Sequence, residues 1–360
     1  MTSNLFQPIK VGKMTLPNRV IMAPMTRGRS GADGVPTATV AEYYGQRASA
    51  GLIITEATAI NARGDGWPGA PGIYNDKQQA GWSLVADAVH KNNGRIFMQI
   101  WHMGRSVLSE NIDGMAPLAP SAVAAEGQIP NSQGVPTDFD VPKEMTSEEI
   151  SQTVSDFVDA AQRAVDAGID GVEIHAANNF LIDAFLRDGT NKRTDAYGGS
   201  IENRTRFLLE VVDAVAEKIG SDRVGVRFSP TNGVFGIADS NPGALFSYAA
   251  SQLSSRNLAY LHLLEPLGEG EHPMKTDVPS VSHLIREAYK GVLIQNGGQT
   301  PESASALIES GQAEAVAFGV PFIANPDLVS RYQSGAELAA PNPDTFYTPG
   351  PEGYTDYAPL

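Results

Sequence analysis

His175 and Asn178 lie three positions apart, and their imidazole and amide N–H groups can both donate to one small anionic or carbonyl oxygen. They follow the apolar run Asp170-Gly171-Val172-Glu173-Ile174, which predicts a short buried strand ending at the histidine. Arg227, inside Val226-Arg227-Phe228, places a charge in another apolar strand. Such a group is almost never buried unpaired, and no carboxylate partner for it can be assigned from the sequence. Glycine turns at Asn296-Gly297-Gly298 and Phe318-Gly319 end two further strands. With no side chain in the way, their backbone N–H groups can approach phosphate oxygens. The chemistry these residues suggest is polarisation of a small acceptor beside a phosphate-bearing ligand.

Positioning these residues requires strands that end together. Short β-branched runs predict strands at Arg19–Met22, Leu52–Glu56, Ile96–Trp101, Gly171–His175, Val224–Phe228, Tyr260–Leu264, Val292–Asn296 and Ala315–Phe318. Helices are clearest at Lys77–Lys91, Ser147–Ala167, Ile201–Ile219, Pro242–Arg256 and Pro301–Ser310. In Ser147–Ala167 an apolar stripe runs through Ile150, Val154, Phe157, Val158, Ala161 and Val165. Eight strands, each followed by a helix, predict an α/β fold of the (β/α)8 TIM-barrel type, one domain spanning 1–360. A Gly/Pro/Ser-rich lid from Gly104 to Lys143 follows the third strand, and a Pro-rich tail runs from Ala340 to Leu360. In such a barrel the chemistry gathers at the C-terminal strand ends.

The 360 residues are 42% hydrophobic and 19% charged, the balance of a globular protein with a large core. There is no cysteine, which excludes disulfides, thiolate metal sites and a cysteine nucleophile. The net charge of −15 opposes binding to nucleic acid or an anionic membrane. No apolar run approaches the roughly 20 residues needed to span a bilayer. The N-terminus lacks the pattern of a signal peptide, so a cytoplasmic enzyme is expected. No His/Asp/Glu cluster has metal-ligand spacing, and no metal is expected.

Several motifs together resemble the Old Yellow Enzyme family of flavin-dependent ene reductases. They are Ala23-Pro24-Met25-Thr26-Arg27, Gln99-Ile100-Trp101-His102-Met103-Gly104-Arg105, the His175–Leu181 segment and Tyr197-Gly198-Gly199-Ser200-Ile201-Glu202-Asn203-Arg204. The likeness runs from Leu5-Phe6-Gln7-Pro8 to Glu352-Gly353-Tyr354-Thr355-Asp356-Tyr357 and is nearest to the bacterial branch acting on maleimides, nitrate esters and enones. It implies non-covalent FMN reduced by NADPH or NADH. By the resemblance, Thr26, with Pro24 and Met25, would meet the flavin, and Ala57 and Gln99 its pyrimidine edge. Arg227 would lie where negative charge gathers on the reduced ring. Asn296, Gly297, Gly298, Phe318 and Gly319 would serve the phosphate end. His175 and Asn178 would hold the acceptor oxygen, while Trp67, Trp101, Tyr347 and Phe180 would line the acceptor side. The partner would be a small electron-poor alkene or nitro acceptor, and the protein a monomer or homodimer.

Three positions depart from the family. Phe180 stands where the family usually has a proton-donating Tyr, so the proton would come from water or another acid. Asn179 replaces a Gly, and Val320 an Arg that pairs with the phosphate. A flavin-dependent isomerase without net reduction, or a flavin-binding pseudoenzyme, are the competing readings. A turn or cap role competes for Thr26, and Trp67, Trp101 and Tyr347 could be core. His102 has no assigned role. His90 and His283, on helices, and His272, in a loop with Glu271, are expected at the surface.

Overall fold

The computed structural model describes residues 3–131, 133–266 and 276–360. Eight strands form the barrel: β1 (Val20–Met22), β2 (Leu52–Ile54), β3 (Ile96–Trp101), β4 (Gly171–His175), β5 (Val224–Phe228), β6 (Tyr260–Leu264), β7 (Leu293–Asn296) and β8 (Ala315–Phe318). Each pairs in parallel with the next, and β8 returns to β1 through Ala317 opposite Ile21, closing the sheet. The crossover helices are α1 (Ala38–Gln46), α2 (Asp76–Lys91), α3 (Ser147–Asp166), α4 (Ile201–Ile219), α5 (Pro242–Ser254), α6 (Ser282–Ala288) and α7 (Pro301–Glu309). Short helices Val320–Ala324 and Leu328–Ser334 follow β8. The predicted strands and long helices hold to within a few residues at their ends. At α3 the cap is Thr146, whose side chain accepts from the Glu149 N–H while Glu149 accepts from the Thr146 N–H.

Alternation along each strand sorts its residues into two cores. Outward positions such as Val20, Met98, Ile100, Val172, Ile174, Val226 and Leu263 pack against the helices. Inward positions, including Ile21, Leu52, Ile54, Phe97, Tyr260, Ile294 and Ala315, fill the lower barrel. An antiparallel hairpin, Ile9–Val11 with Met14–Leu16, adds Val11 and Leu16 to this inner cluster. Higher in the barrel the inward positions become polar, with Gln99, Glu173, Arg227 and His262 all buried. Two residues further along β3, β4 and β7 come Trp101, His175 and Asn296, at the mouth.

The lid is not a structureless loop. It contains a helical turn at Ser109–Ile112, a hairpin of Gln128–Pro130 with Pro136–Asp138, and Leu118–Ala119 paired with Lys143–Glu144. The tail is also fixed. Arg27 donates to the carbonyls of Phe346 and Gly353, and Arg29 to those of Thr345, Gly350 and Glu352. Tyr354 is fully buried and stacks on Tyr43 at 4.0 Å. These bonds carry Tyr347 to the barrel mouth, with its ring 5.7 Å from that of Trp67.

Candidate active site

The carboxylate of Glu56 accepts from the backbone N–H groups of Arg27 and Gly28, fixing the turn that follows β1. That turn forms one wall of a cavity of about 570 Å³ at the C-terminal strand ends. Of the residues singled out by sequence, Pro24, Met25, Thr26, Arg227, Asn296, Gly298, Phe318, Gly319 and Tyr347 line it. Leu264, Pro321, Ile323 and Phe346 also line it and were not anticipated. Gly297 is not on the wall. Its φ is +123°, and a Cβ there would meet Pro266 backbone atoms at 2.9 Å, so it is glycine for packing.

His175, Trp101 and Phe180 form a second group beside this cavity. The Phe180 ring lies edge-on to Trp101 at 4.5 Å and to His175 at 4.8 Å, and the Trp101 and His175 rings stack at 6.2 Å. Ala57 belongs to the apolar cluster that includes Trp101, with Trp67 and Phe180 packed on it. The two groups border one mouth: Arg227, on the cavity wall, is the register partner of His175, and Tyr347 reaches Trp67.

Among the described residues, His175 has no hydrogen-bond partner, although it is only 3% exposed. Burial, reinforced by the charge of Arg227 and by His262, holds its pKa well below the usual histidine value, so the ring is neutral. Asn178 is at φ +58° and Asn179 at φ +68°, two consecutive left-handed residues that turn the chain back after β4. Ser229 accepts from the Asn178 N–H, and the Asn232 amide donates to Asn178 Oδ1 at 2.8 Å. The Asn178 NH2 therefore points away from Asn232. Asn179 is fully buried: its Oδ1 accepts from Arg105 Nε at 2.9 Å, and its amide nitrogen donates to the Phe235 carbonyl. Neither Asn232 nor this tie to the lid was anticipated.

Arg227 donates to Asn296 Oδ1 at 2.9 Å, and its Nε has no partner. The sequence offered it no carboxylate; the structure supplies one, because Glu173 lies close enough to act on its charge. The missed signal was alternation: Glu173 and His175 are two apart on one strand and share its inner face. Across the mouth, Val320 lines the cavity and is 54% exposed. The cations among the described lining residues are Arg27 and Arg227, and Arg27 is engaged by Tyr43, Phe346 and Gly353.

The remaining histidines divide as follows. His102 is buried, accepts the Gly104 N–H at Nδ1, and is pushed down to about 3 by burial and by Arg63, so it is a neutral core residue. His90 is half-buried and pairs with Asp170 at 3.0 Å rather than standing free, whereas His283 is exposed. His272 and Glu271 lie outside the described residues.

Comparison with known proteins agrees with this geometry. Residues 4–339 match the profile of the NADH:flavin oxidoreductase / NADH oxidase family. The chain is 45% identical to a probable flavin mononucleotide-dependent alkene reductase of Leishmania infantum, covering 98% of this chain and 96% of that protein. The Old Yellow Enzyme homologue of Zymomonas mobilis superposes with a TM-score of 0.96 at 47% identity, covering 99% of each chain. Morphinone reductase in complex with tetrahydroNAD superposes at 0.93 with 48% identity, covering 99% of this chain and 97% of that one. By full-length likeness in sequence and fold, this chain belongs to the NADH:flavin oxidoreductase / NADH oxidase family, in the group that contains Old Yellow Enzyme.

Proposed function

We propose that this chain, as one domain spanning 1–360, is an FMN-dependent ene reductase that oxidises NADPH or NADH and reduces electron-poor alkenes. Enones, maleimides and nitro or nitrate ester compounds are the acceptor classes. The observation that carries this reading is the partnerless imidazole of His175, three residues before Asn178, at the mouth of a barrel in a flavin oxidoreductase family. The residues present suit FMN. Arg227 leaves a buried guanidinium nitrogen without a partner on the cavity wall, and Gly298 and Gly319 keep another stretch of wall free of side chains. Thr26, Gln99, Ala57 and Arg227 would hold the ring, and Asn296, Gly298, Phe318 and Gly319 the phosphate end.

When bound, FMN supplies the hydride exchange between nicotinamide and acceptor. The protein's own contribution is orientation and polarisation. His175, being neutral, offers an N–H without bringing a positive charge, and Asn178 offers a second donor. Together they draw electron density toward the acceptor oxygen and leave its β-carbon electron-poor. Trp101, Phe180, Trp67 and Tyr347 shape an aromatic slot around a flat acceptor. Phe180 holds no proton, so the α-carbon is protonated by water. On this reading the protein works in the cytoplasm as a monomer or homodimer.

The Phe180 ring, packed directly on His175, also favours a second outcome, alkene isomerisation without net reduction where protonation is slow. The test is NADPH oxidation by FMN-loaded protein with N-ethylmaleimide, 2-cyclohexenone and a nitroalkene, with products identified by mass. Reduced product matched to NADPH consumed is expected. Rearranged product without NADPH consumption would establish isomerisation, and no turnover with any acceptor would leave a flavin-binding pseudoenzyme.

A further inference from the structure

Glu173 points into the barrel one layer below His175 and is fully buried. Its Oε1 accepts from Gln99 Nε2 at 2.7 Å, and its Oε2 accepts from His262 Nδ1 at 2.9 Å. Burial opposes its charge, but His262, Arg227 and the Gln99 amide outweigh that and hold the carboxyl below its usual value. The paired His262 ring is kept neutral by burial, so Nδ1 carries the hydrogen and the buried Nε2 is bare. A buried ionic cluster of this kind seldom adds stability over apolar residues of the same volume. Its presence directly beneath the mouth calls for another reason.

Two consequences follow from the contacts. A glutamine amide is nearly two-fold symmetric about its last torsion, so either the NH2 or the carbonyl can face a given direction. The Gln99 NH2 is committed to Glu173, and the Gln99 carbonyl oxygen has no partner among the described residues. Arg227, in register with both His175 and His262, has Glu173 as its counter-charge on the inner side.

We propose that Glu173 is a positioning residue that presets the polarity of the cofactor-facing layer, holding Gln99 with its carbonyl outward as an acceptor and offsetting the charge of Arg227. This rests on the FMN reading above. A flavin carries one ring N–H donor on its pyrimidine edge, which an outward carbonyl accepts and an outward NH2 repels. Without Glu173, the Arg227 cation acts unopposed on the negative charge of the reduced ring.

The experiment compares FMN-loaded wild type with Glu173→Gln, an isosteric change, measuring the FMN dissociation constant and the two-electron midpoint potential. Glu173→Gln should raise the potential by about 30 mV or more, a tenfold change in the reduction equilibrium. It should also weaken FMN binding about fivefold, the loss of one ordinary hydrogen bond. Glu173→Asp keeps the charge but shortens the reach, so its potential should stay near wild type while FMN affinity falls. That variant also carries the test should Glu173→Gln not fold. Unchanged potential and affinity in folded, FMN-loaded Glu173→Gln overturn the inference and leave the ene-reductase reading intact. So does a Glu173→Asp protein with wild-type affinity. A wild-type protein that binds no FMN overturns both.

Discussion

On the β3–β5 side of the barrel mouth, neighbours fix the side chains. Asn178 is held by Ser229 and Asn232, Asn179 by Arg105 and Phe235, Gln99 by Glu173, and Phe180 lies against Trp101 and His175. On the β7–β8 side, Val320 is half-exposed, and no uncommitted cation among the described residues lines that end of the cavity. On the proposed function the difference separates two tasks. Polarising an acceptor requires donors that do not reorganise, because their benefit lies in being aimed beforehand. Holding a phosphate at a glycine turn needs only backbone N–H groups and tolerates a looser surround.

Restoring a proton donor on the well-fixed side should have the largest effect. Phe180→Tyr is expected to raise 2-cyclohexenone turnover by about 10²–10⁴-fold, the usual contribution of a general acid. Steady-state rates at saturating NADPH measure this, and an unchanged rate would show that protonation is not slow. Removing a donor comes next. His175→Ala should lower acceptor reduction by about 10²–10³-fold while FMN stays bound, as read by stopped-flow flavin reoxidation. An equal loss of FMN would place His175 in cofactor binding instead.

On the looser side the effect is smaller. Val320→Arg adds a charge-assisted contact and should tighten FMN binding about ten- to a hundred-fold by fluorescence titration. No gain would mean that the phosphate does not lie there. The smallest effect concerns the frame of the site. His102 has its pKa lowered to about 3, against about 6.5 in the unfolded chain, so the unfolded state binds the extra proton between those values. Its contribution is complete above pH 6.5 and is lost as pH falls toward 3. Between pH 7.5 and pH 5.5 the loss is about 1.4 kcal/mol, measurable by urea denaturation at those two pH values.

The barrel was legible because each strand is buried on both faces and reads as an apolar run, and because strand ends alone select the mouth. The short helices α1 and α6, together with Leu181–Leu186, were not among the elements read clearly. Each has only one to three turns in which to show a period. His175, Asn178 and Arg227 could be picked out one by one as polar groups at strand ends. Their supports could not. Gln99 meets Glu173 across 74 residues, Glu173 meets His262 across 89, and Asn232 meets Asn178 across 54. Such pairs become visible only when the strand register is known. The tail was opaque for a similar reason, since three distant arginines, Arg27, Arg29 and Arg47, fix it through backbone carbonyls.

The most direct test of the central claim is an anaerobic absorbance trace of FMN-loaded wild type, reduced with one equivalent of NADPH and mixed with 2-cyclohexenone. Return of the oxidised flavin band, with cyclohexanone formed, is the predicted result: His175 and Asn178 polarise the acceptor and water delivers the proton that Phe180 cannot. A band that stays bleached with the enone, and again with N-ethylmaleimide, would contradict it.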